Sequence, residues 1–362
     1  MINLIINNRP VSVSEGLTIL EAAKRNNIDI PNLCSLEGVH KFGSCRICVV
    51  EVEDAKNLQA SCMVQVREGM VVHTNTDKVR KVRKNLFELI LSNHPKDCLH
   101  CERNLSCELQ DVGKRLGITK ARFAGQTSGG NIDISPSIVR DMEKCILCRR
   151  CITVCNEIQN VGTLNAQNRG FKTIVGTAME LPLDTVNCTA CGQCTVVCPV
   201  GALKETDAIQ NVWGAISDKT KRVVVQVDPA VRAAIGEEFG IEADTQVTSQ
   251  LISCLREIGF DAIFDTNFAA DLNVIEESTE FLTRMKNSLE GGEARLPMMT
   301  SCSAAWIKYI EHTFPEKLDH LSTCKSPHTM LGALAKSYYA TRGLSIFNSN
   351  SFTCSRPVMR ES

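Results

Sequence analysis

The sequence lacks an excess of charge and any long apolar run, and both absences exclude classes of protein. It has 40 basic and 41 acidic side chains in 362 residues, for a formal net charge of -1 at pH 7. Balanced charge gives no electrostatic basis for binding nucleic acid. No segment approaches the run of about 18 apolar residues that spans a membrane. We therefore predict a protein that neither binds nucleic acid nor inserts into a membrane.

The first residues also lack the marks of a targeting signal. The stretch MINLIINNRPVSVSEG alternates like a strand and has no charged n-region, continuous apolar core or Arg-rich transit character. We expect a cytoplasmic location, and an organelle such as a hydrogenosome stays open. In a reducing compartment, cysteine clusters usually bind metal instead of forming disulfides. The 19 cysteines therefore predict metal sites.

The first cysteine group has the spacing CX10CX2CX13C and comprises Cys34, Cys45, Cys48 and Cys62. MINLIINNRPVSV predicts two strands around an Asn-Asn turn, LTILEAAKRNN a helix, and SCRICVVEVE a strand. This order predicts a β-grasp, ferredoxin-like domain over residues 1–78. Four thiolates suit a 2Fe-2S cluster, because soft sulfur ligands match iron. Structural zinc takes the same four ligands and is the alternative.

The second group mixes histidine with cysteine in the spacing HX3CX2CX5C and comprises His94, Cys98, Cys101 and Cys107. A histidine four residues before a CX2C pair is a plausible fourth ligand of a 4Fe-4S cluster. His100 competes for this role but lies inside the CX2C loop, where reaching the same metal is sterically awkward. We predict a small helical module with this site over residues 79–125.

The third and fourth groups repeat the run CX2CX2CX3C, which is typical of two-cluster bacterial ferredoxins. In that arrangement the fourth cysteine of each run ligates the other cluster. One predicted 4Fe-4S cluster therefore takes Cys145, Cys148, Cys151 and Cys198. The other takes Cys188, Cys191, Cys194 and Cys155. The module is predicted over residues 135–210, and a zinc reading of these eight cysteines has little support.

Beyond residue 210 the pattern changes to alternating strands and helices. RVVVQV, DAIFDT and LPMMTS each precede a helical segment. Successive β-α units predict a parallel sheet, whose functional residues lie at the carboxyl ends of the strands. Cys302 follows the third predicted strand. The overall fold class is thus α+β multidomain, ending in a partial α/β domain over residues 211–346.

The order of these modules resembles the large, multi-cluster iron-only (FeFe) hydrogenases. The resemblance is carried by the four cysteine groups and by VDPAVRAAIGEEFG, FDTNFAADLNVIEESTEFLTRM, LPMMTSCSAAW and LSTCKSPHTMLGALAKSYYA. It implies reversible hydrogen oxidation at an H-cluster, a cubane joined to a di-iron centre, with ferredoxin or a similar electron carrier. It also implies a proton relay, whose members here are Cys302, Glu277, Glu280, Ser322 and Arg284.

The sequence departs from the family pattern at the positions of the H-cluster ligands. The family segment reads TSCCPxW, whereas TSCSAAW here places Ser303 at the first cubane ligand. We expect a catalytic domain truncated before the later MPC and CX3C ligand motifs, followed by a divergent tail over 347–362. Cys354 lies in that tail and is not assigned as a ligand. The H-cluster is therefore expected to be absent and activity of this chain alone to be doubtful.

Two functions follow. The first is a hydrogenase-family oxidoreductase with a four-cluster electron relay, working with ferredoxin or a similar carrier and with further redox subunits. The second is a non-catalytic electron-transfer protein or subunit, including an NADH dehydrogenase-like cluster subunit. The second requires only the 16 assigned cluster ligands.

Overall fold

The computed structural model describes residues 1–127 and 132–341. The chain forms two compact units, one from Met1 to Thr206 and the other beginning at Asp207. The predicted divergent tail at 347–362, with Cys354, lies outside the described residues.

A five-stranded mixed sheet with one helix opens the first unit. Its elements are β1 (Ile2–Ile6), β2 (Arg9–Val13), α1 (Ile19–Arg25), β3 (Val49–Val52), β4 (Gln59–Ala60) and β5 (Val71–His73). The strand order is β2-β1-β5-β3-β4. Strands β1 and β5 are parallel, and the other neighbours are antiparallel. The sheet agrees with the predicted ferredoxin-like β-grasp domain.

Local sequence explains the beginning of this sheet. Asn7 and Asn8 have φ values of 49° and 63°, the left-handed conformation that a tight hairpin turn requires. Alternate residues of β1 and β2 are buried, so each strand turns one face to the core. A capping box then starts α1, because the Thr18 side chain accepts from the Glu21 amide while the Glu21 carboxylate accepts from the Thr18 amide.

Two helices form the next part of the unit, namely α2 (Asp77–Ser92) and α3 (Glu108–Arg115). A 3-10 turn, Cys98–His100, lies between them. The helices meet closely, since a Cβ atom placed on Gly113 of α3 would lie 2.9 Å from the Phe87 ring of α2. Glycine at this position therefore permits the contact that holds the helices together.

The rest of the first unit is built from short elements around the repeated cysteine run. These are β6 (Asp133–Ile134), β7 (Ile138–Arg140), α4 (Arg150–Thr153), β8 (Asn165–Gln167), β9 (Ile174–Gly176), α5 (Gln193–Val196) and β10 (Leu203–Glu205). Strands β10, β7 and β6 form one antiparallel sheet, and β8 and β9 form a hairpin. The 3-10 helices are Met142–Lys144, Gly170–Lys172 and Ala178–Glu180, and a π-helix, Val154–Ile158, continues α4.

The two runs share backbone conformation as well as spacing. Arg149 and Gly192, at equivalent positions, precede α4 and α5 with φ values of 66° and 71°. The amides of Leu147 and Ala190 donate to the sulfurs of the cysteines two residues earlier, each over 3.4 Å. The repeat in sequence is therefore a repeat in structure.

The second unit consists mainly of helices around a small parallel sheet. Its elements are α6 (Ile209–Ser217), β11 (Val224–Val227), α7 (Pro229–Glu238), α8 (Thr248–Ile258), β12 (Ala262–Asp265), α9 (Asn267–Leu289), α10 (Ala304–Thr313) and α11 (Pro327–Thr341), with a 3-10 helix at Pro315–His320. Strands β11 and β12 pair in parallel, as predicted. Pro229 occupies the first turn of α7 after the cap Asp228, a favourable place for proline.

The third predicted strand, LPMMTS, is wrong. Met299 makes a single parallel bridge to Leu321, with its amide donating to the His320 carbonyl and its carbonyl accepting from the Ser322 amide, both over 2.8 Å. Pro297 has no amide to donate, and Ser303 already caps α10. The segment between them is too constrained to pair along its length, so Cys302 lies on a loop before a helix and not at the end of a sheet strand.

Candidate metal centres

The four cysteines of the first group are all buried, and each sulfur interacts with at least one other of the group. The thiols of Cys45 and Cys62 interact with the sulfur of Cys34, and these interactions hold the pKa of Cys34 well below its usual range. The Cys62 thiol also lowers the pKa of Cys48 to about 7. The same contacts raise the pKa of Cys45 and Cys62, so the four thiols interact as one buried set. A compact, buried set of four sulfurs suits the ligands of an iron-sulfur cluster.

The two histidine candidates of the second group differ in burial and in hydrogen bonding. His94 is partly buried just after α2, and its Nδ1 has no hydrogen-bond partner among the described residues. Burial lowers the pKa of His94, and the charge of the nearby Lys144 adds to this, which favours the neutral imidazole that a metal ligand requires. His100 is exposed and pairs with Asp97 over 2.6 Å, which raises its pKa. The structure therefore favours His94 as the imidazole donor.

The cysteines of the second group lie around α3 and the preceding turn. Cys98 and Cys101 flank the 3-10 turn, and Cys107 caps the N-terminus of α3. Burial raises the pKa of Cys107, and the charges of Cys101 and Cys98 raise it further. The sulfurs of Cys98 and Cys101 are therefore close enough to Cys107 to act on it electrostatically, as ligands of one cluster would be.

In the repeated runs, Cys198 lies with the first three cysteines of the other run. Burial raises the pKa of Cys145 to about 11, and the charge of Cys198 adds to this. Burial likewise raises the pKa of Cys148 to about 12, with contributions from Cys198 and Cys145. Cys151 is affected in the same way by all three. Cys194, from the other predicted set, also acts on Cys151, so the crossed ligand assignment stays a prediction.

The complementary group forms around Cys194. Burial raises its pKa well above the usual range, and the charges of Cys188, Cys191 and Cys155 are the next causes in order. Cys155 comes from the π-helix after α4, whereas the other three come from the second run. The fourth cysteine of the first run is therefore near the three leading cysteines of the second.

The donor chemistry, and not a preformed single-ion geometry, supports clusters at these positions. Among residues 1–127 and 132–341, no three His, Cys, Asp or Glu side chains are arranged as ligands of one metal ion. A cluster places several iron and sulfide atoms between its cysteine ligands, so those ligands stand further apart than ligands of one zinc ion. Grouped thiols with one neutral imidazole fit that requirement.

Each cysteine group contributes to a common hydrophobic core, although Cys48 and Cys62 of the first group belong to the separate core of the five-stranded sheet. Buried side chains of the common core include Cys34, Cys107, Cys148 and Cys198, one from each of four cysteine-bearing segments. His40, in the loop of the first group, contacts the Cys148 carbonyl through Nε2 over 3.1 Å and the Thr153 hydroxyl through Nδ1 over 2.6 Å. The first site is thus held against the first repeated run.

The second site is held against the end of the second run. A Cβ atom on Gly201 would lie 2.8 Å from the Cys101 sulfur, so only glycine allows this approach. The Arg103 guanidinium donates to the carbonyls of Thr195 and Cys198, over 3.2 and 3.3 Å. The first and second sites therefore both contact segments that carry Cys148 or Cys198, ligands of the same predicted cluster.

In the second unit, Glu280 is the centre of a hydrogen-bonded group. Its carboxylate pairs with Arg284 over 2.6 Å and accepts from the Ser322 hydroxyl over 2.7 Å and from the Thr323 amide. Burial alone would raise the pKa of Glu280, but the bonds from Ser322, Arg284 and Thr323 lower it overall. The Cys324 thiol lies 3.9 Å from the same carboxylate. Three of the five predicted relay residues are thus brought together.

The other two relay residues are not joined to this group. Glu277 lies on α9 with no hydrogen bond or ion pair among the described residues. Cys302 is exposed, and its thiol makes no hydrogen bond within the described part of the chain. Ser303, at the position of the family's cubane ligand, caps α10 by accepting from the Trp306 amide. Its hydroxyl thus has a structural role in the chain as it stands.

Several residues of the site could not be found from the sequence pattern. They are His40, Arg83, Arg103, Glu108, Arg150, Gly201 and Cys324. Arg83 is an example: it is buried on α2, donates to the Val49 carbonyl over 2.7 Å and lies near the Cys48 sulfur. No motif marks these residues, although a basic residue beside a cysteine run, as at Arg150, is a weak signal of a contact to an anionic cluster.

Models of known protein families match successive segments of the chain, and the boundaries between these segments agree with those between the first, second and repeated cysteine groups. Residues 1–77 match a 2Fe-2S iron-sulfur cluster binding domain, and 83–122 match the iron-sulfur binding region of NADH-ubiquinone oxidoreductase G. Residues 135–204 match the ferredoxin-like domain of NADH-quinone oxidoreductase subunit 3. Residues 221–349 match the C-terminal domain of the iron-only hydrogenase large subunit. The chain is therefore a multidomain iron-sulfur protein.

Individual relatives narrow this class. The chain is 49% identical over 347 residues to the NADP-reducing hydrogenase subunit HndD of Solidesulfovibrio fructosivorans, covering 94% of this chain and 59% of the relative. It is 36% identical over 342 residues to iron hydrogenase 1 of Clostridium pasteurianum, covering 94% and 58%. The chain is thus similar to these hydrogenase proteins over most of its own length, and to the iron-only hydrogenase large subunit over residues 221–349.

The chain spans somewhat less than three-fifths of the length of these two relatives. A solved structure, of NAD+-reducing NiFe-hydrogenase in the H2-reduced state, is similar with a TM-score of 0.54 and 28% identity. That similarity covers 57% of this chain and 88% of the other. In the described part of the chain, no helix combines the length and apolar character needed to cross a membrane.

Proposed function

We propose that this chain relays single electrons to or from a hydrogenase-type catalytic domain, within a protein that interconverts hydrogen with protons and electrons. The observation that carries the proposal is that each cysteine group contributes at least one side chain to a common core, with the first two groups contacting the segments of Cys148 and Cys198. One or two clusters suffice to hold a small domain together, whereas a connected series is suited to electron transfer.

The proposed ligand sets are those of the sequence prediction. Cys34, Cys45, Cys48 and Cys62 would hold a 2Fe-2S cluster, and His94, Cys98, Cys101 and Cys107 would hold a 4Fe-4S cluster. The two sets of the repeated run would hold two further 4Fe-4S clusters, namely Cys145, Cys148, Cys151 and Cys198, and Cys188, Cys191, Cys194 and Cys155. When bound, such clusters accept and donate one electron at a time. The crossed thiol grouping and the neutral His94 support these sets.

The Glu280 group supports a proton-handling role for the second unit. A carboxylate that accepts from Ser322 and pairs with Arg284 is held in one orientation, which a proton path requires. Cys302 and Glu277 remain proposed members of the path. Serine is a poor substitute for a thiolate on iron, so Ser303 argues against a complete H-cluster formed by this chain alone.

Proposed partners follow from the relatives. A ferredoxin or similar small carrier would exchange electrons with one of the first two sites. HndD is named as a subunit of an NADP-reducing hydrogenase, which supports further redox subunits as partners of this chain as well.

A second candidate is an electron-transfer subunit without hydrogenase activity. Two of the matched domains, at 83–122 and 135–204, are named for NADH dehydrogenase subunits, which favours it. The hydrogenase-domain match at 221–349 and the Glu280 group favour the first candidate.

Cluster reconstitution of the full chain tests the shared part of both proposals. We expect about 14 iron atoms per chain and electron paramagnetic resonance (EPR) signals of one 2Fe-2S and three 4Fe-4S clusters. An iron content near two atoms would refute the four-cluster relay. Hydrogen evolution from a reduced carrier, with infrared bands of carbonyl and cyanide after maturation, would support the first candidate, and absence of those bands would exclude catalysis by this chain.

A further inference from the structure

Arg150 occupies the point where three cluster-ligating segments of the first unit meet. It directly precedes Cys151 in the first repeated run, and its guanidinium is almost fully buried, with 4% of the side chain exposed. Burying a charged group is unfavourable unless the charge is paired and its donors are satisfied. The hydrogen bonds and the ion pair of Arg150 therefore identify the segments that this buried guanidinium joins.

The guanidinium reaches two other modules at once. Its Nε donates to the Cys34 carbonyl over 3.3 Å, and Nη2 donates to the Ser35 carbonyl over 3.4 Å. On the other side, Nη1 and Nη2 form a two-pronged ion pair with the Glu108 carboxylate, over 2.7 and 2.8 Å. Glu108 directly follows Cys107. One side chain thus joins backbone beside a first-site cysteine, a carboxylate beside a second-site cysteine and the repeated run itself.

We propose that Arg150 is a positioning residue, which clamps the segments of Cys34 and Cys107 onto the run of Cys151 and so fixes the spacing between three cluster sites. The inference rests on the proposed function, because it needs clusters at those sites. Only arginine combines a permanent charge with a planar fork that can bind a carboxylate and two carbonyls together. Electron transfer between clusters depends on a fixed separation, and the clamp supplies it.

Neighbouring residues provide a matched control. Arg149 is also in the first run, but its guanidinium contacts only the Phe42 ring in the loop of the first group, 4.6 Å from the centroid, and makes no hydrogen bond or ion pair with the segments of Cys34 and Cys107. Neither the common hydrophobic core nor the His40 contacts involve the Arg150 side chain. We therefore expect Arg150→Gln to fold and to bind its clusters.

The test compares Arg150→Gln, Glu108→Gln and Arg149→Gln with the wild type after reconstitution of the full chain. Power saturation of the EPR signal of the reduced 2Fe-2S cluster reports how strongly neighbouring reduced clusters speed its relaxation. We expect Arg150→Gln to lose much of this enhancement and Glu108→Gln to lose part of it. Arg149→Gln should match the wild type.

Redox titration distinguishes a positioning role of Arg150 from a purely electrostatic effect of its charge on the 2Fe-2S cluster. Removing the cation at 150 should shift the potential of the 2Fe-2S cluster downward, whereas removing the anion at 108 should shift it upward. A positioning role changes relaxation in the same direction in both variants. Opposite potential shifts with unchanged relaxation would overturn the proposal, and so would an Arg150→Gln protein that behaves like Arg149→Gln.

Two further outcomes are decisive. If the wild type itself lacks the four cluster signals, the proposed electron-relay function is wrong, and the proposed role of Arg150 is wrong with it. If Arg150→Gln loses its 2Fe-2S signal, its relaxation cannot be measured. The Glu108→Gln variant, which keeps the guanidinium, then tests whether the pair positions the clusters or is needed to assemble them. Loss of that signal in both variants would assign the pair to cluster assembly and overturn the positioning role.

Discussion

The two units differ in how completely they cover their apolar side chains. In the first, two buried clusters of side chains fill the β-grasp sheet and the space between the cysteine groups. In the second, helix α9 carries Phe268, Ile275, Leu282 and Leu289 at seven-residue intervals, each between 56 and 81% exposed. Residues seven apart lie on one helix face, so these form a continuous apolar stripe.

We infer from this contrast that the first unit is more nearly self-sufficient than the second, in which α9 leaves a stripe of apolar side chains uncovered. Exposed apolar surface of this extent is typical of a face that another polypeptide covers. The first unit adds thiols to its core, so metal ligands and hydrophobic packing reinforce each other there. The second unit holds its parallel sheet with only two strands in the described residues. The following predictions test this difference, beginning with the largest expected effect.

Replacing a shared ligand should damage the first unit most. Cys198→Ser removes a sulfur that lies with Cys145, Cys148 and Cys151, so we expect loss of one 4Fe-4S cluster, about four iron atoms per chain. Iron analysis and EPR check this. Cys254→Ser is the control, because Cys254 is exposed and belongs to none of the four groups. Full iron content in Cys198→Ser would contradict the crossed ligand assignment.

Amide hydrogen exchange should distinguish the units directly. We expect amides of β1 and β5 to exchange at least about tenfold more slowly than those of β11 and β12, because the former lie in a five-stranded sheet over a filled core. Mass spectrometry of peptides from the reconstituted protein measures this. Equal protection in both sheets would show that the second unit is as self-sufficient as the first.

Matched truncations of apolar side chains should have unequal costs. Ile6→Ala removes a fully buried side chain and should lower the free energy of unfolding by roughly 2–5 kcal/mol. Leu282→Ala changes the exposed stripe and should cost no more than about 0.5 kcal/mol. Cluster absorbance follows unfolding of the first unit. Fluorescence follows the second, since Trp213 and Trp306 both lie there. A large cost at Leu282 would mean that the stripe is covered in solution.

The smallest effect should come from the polar group of the second unit. Glu280→Gln breaks the ion pair with Arg284 and should cost about 1 kcal/mol. Because the folded protein lowers the pKa of Glu280, its contribution is present above the ordinary carboxyl pKa and is lost as pH falls through the lowered value. Fluorescence-monitored unfolding of the wild type should therefore weaken in acid more than that of Glu280→Gln.

Glu277→Gln is the matched control for that experiment, since Glu277 lies on the same helix without an ion pair among the described residues. Its unfolding free energy and pH dependence should follow the wild type. A Glu277→Gln protein that lost stability as Glu280→Gln does would place both carboxylates in one network.

Local sequence predicted much of the fold correctly. The β1–β2 hairpin follows from Asn7 and Asn8 between alternating strands, and the start of α7 follows from Asp228 and Pro229. The third strand after residue 296 was wrong, because apolar composition cannot show that a segment has only one residue available for pairing. Tertiary packing joined Glu280 and Arg284 of α9 to the segment that ends at Ser322, whereas Glu277 on the same helix makes no hydrogen bond or ion pair among the described residues.

By itself, the sequence determined which residues are chemically able to bind clusters, because ligand type and spacing within a run are local properties of the chain. It also determined the hydrogenase-like order of modules. Only the tertiary structure decided that His94 and not His100 is shielded from water, and that Arg150 reaches Cys34 and Glu108. Burial and contacts between residues more than 40 positions apart depend on how the whole unit packs, which no local pattern records.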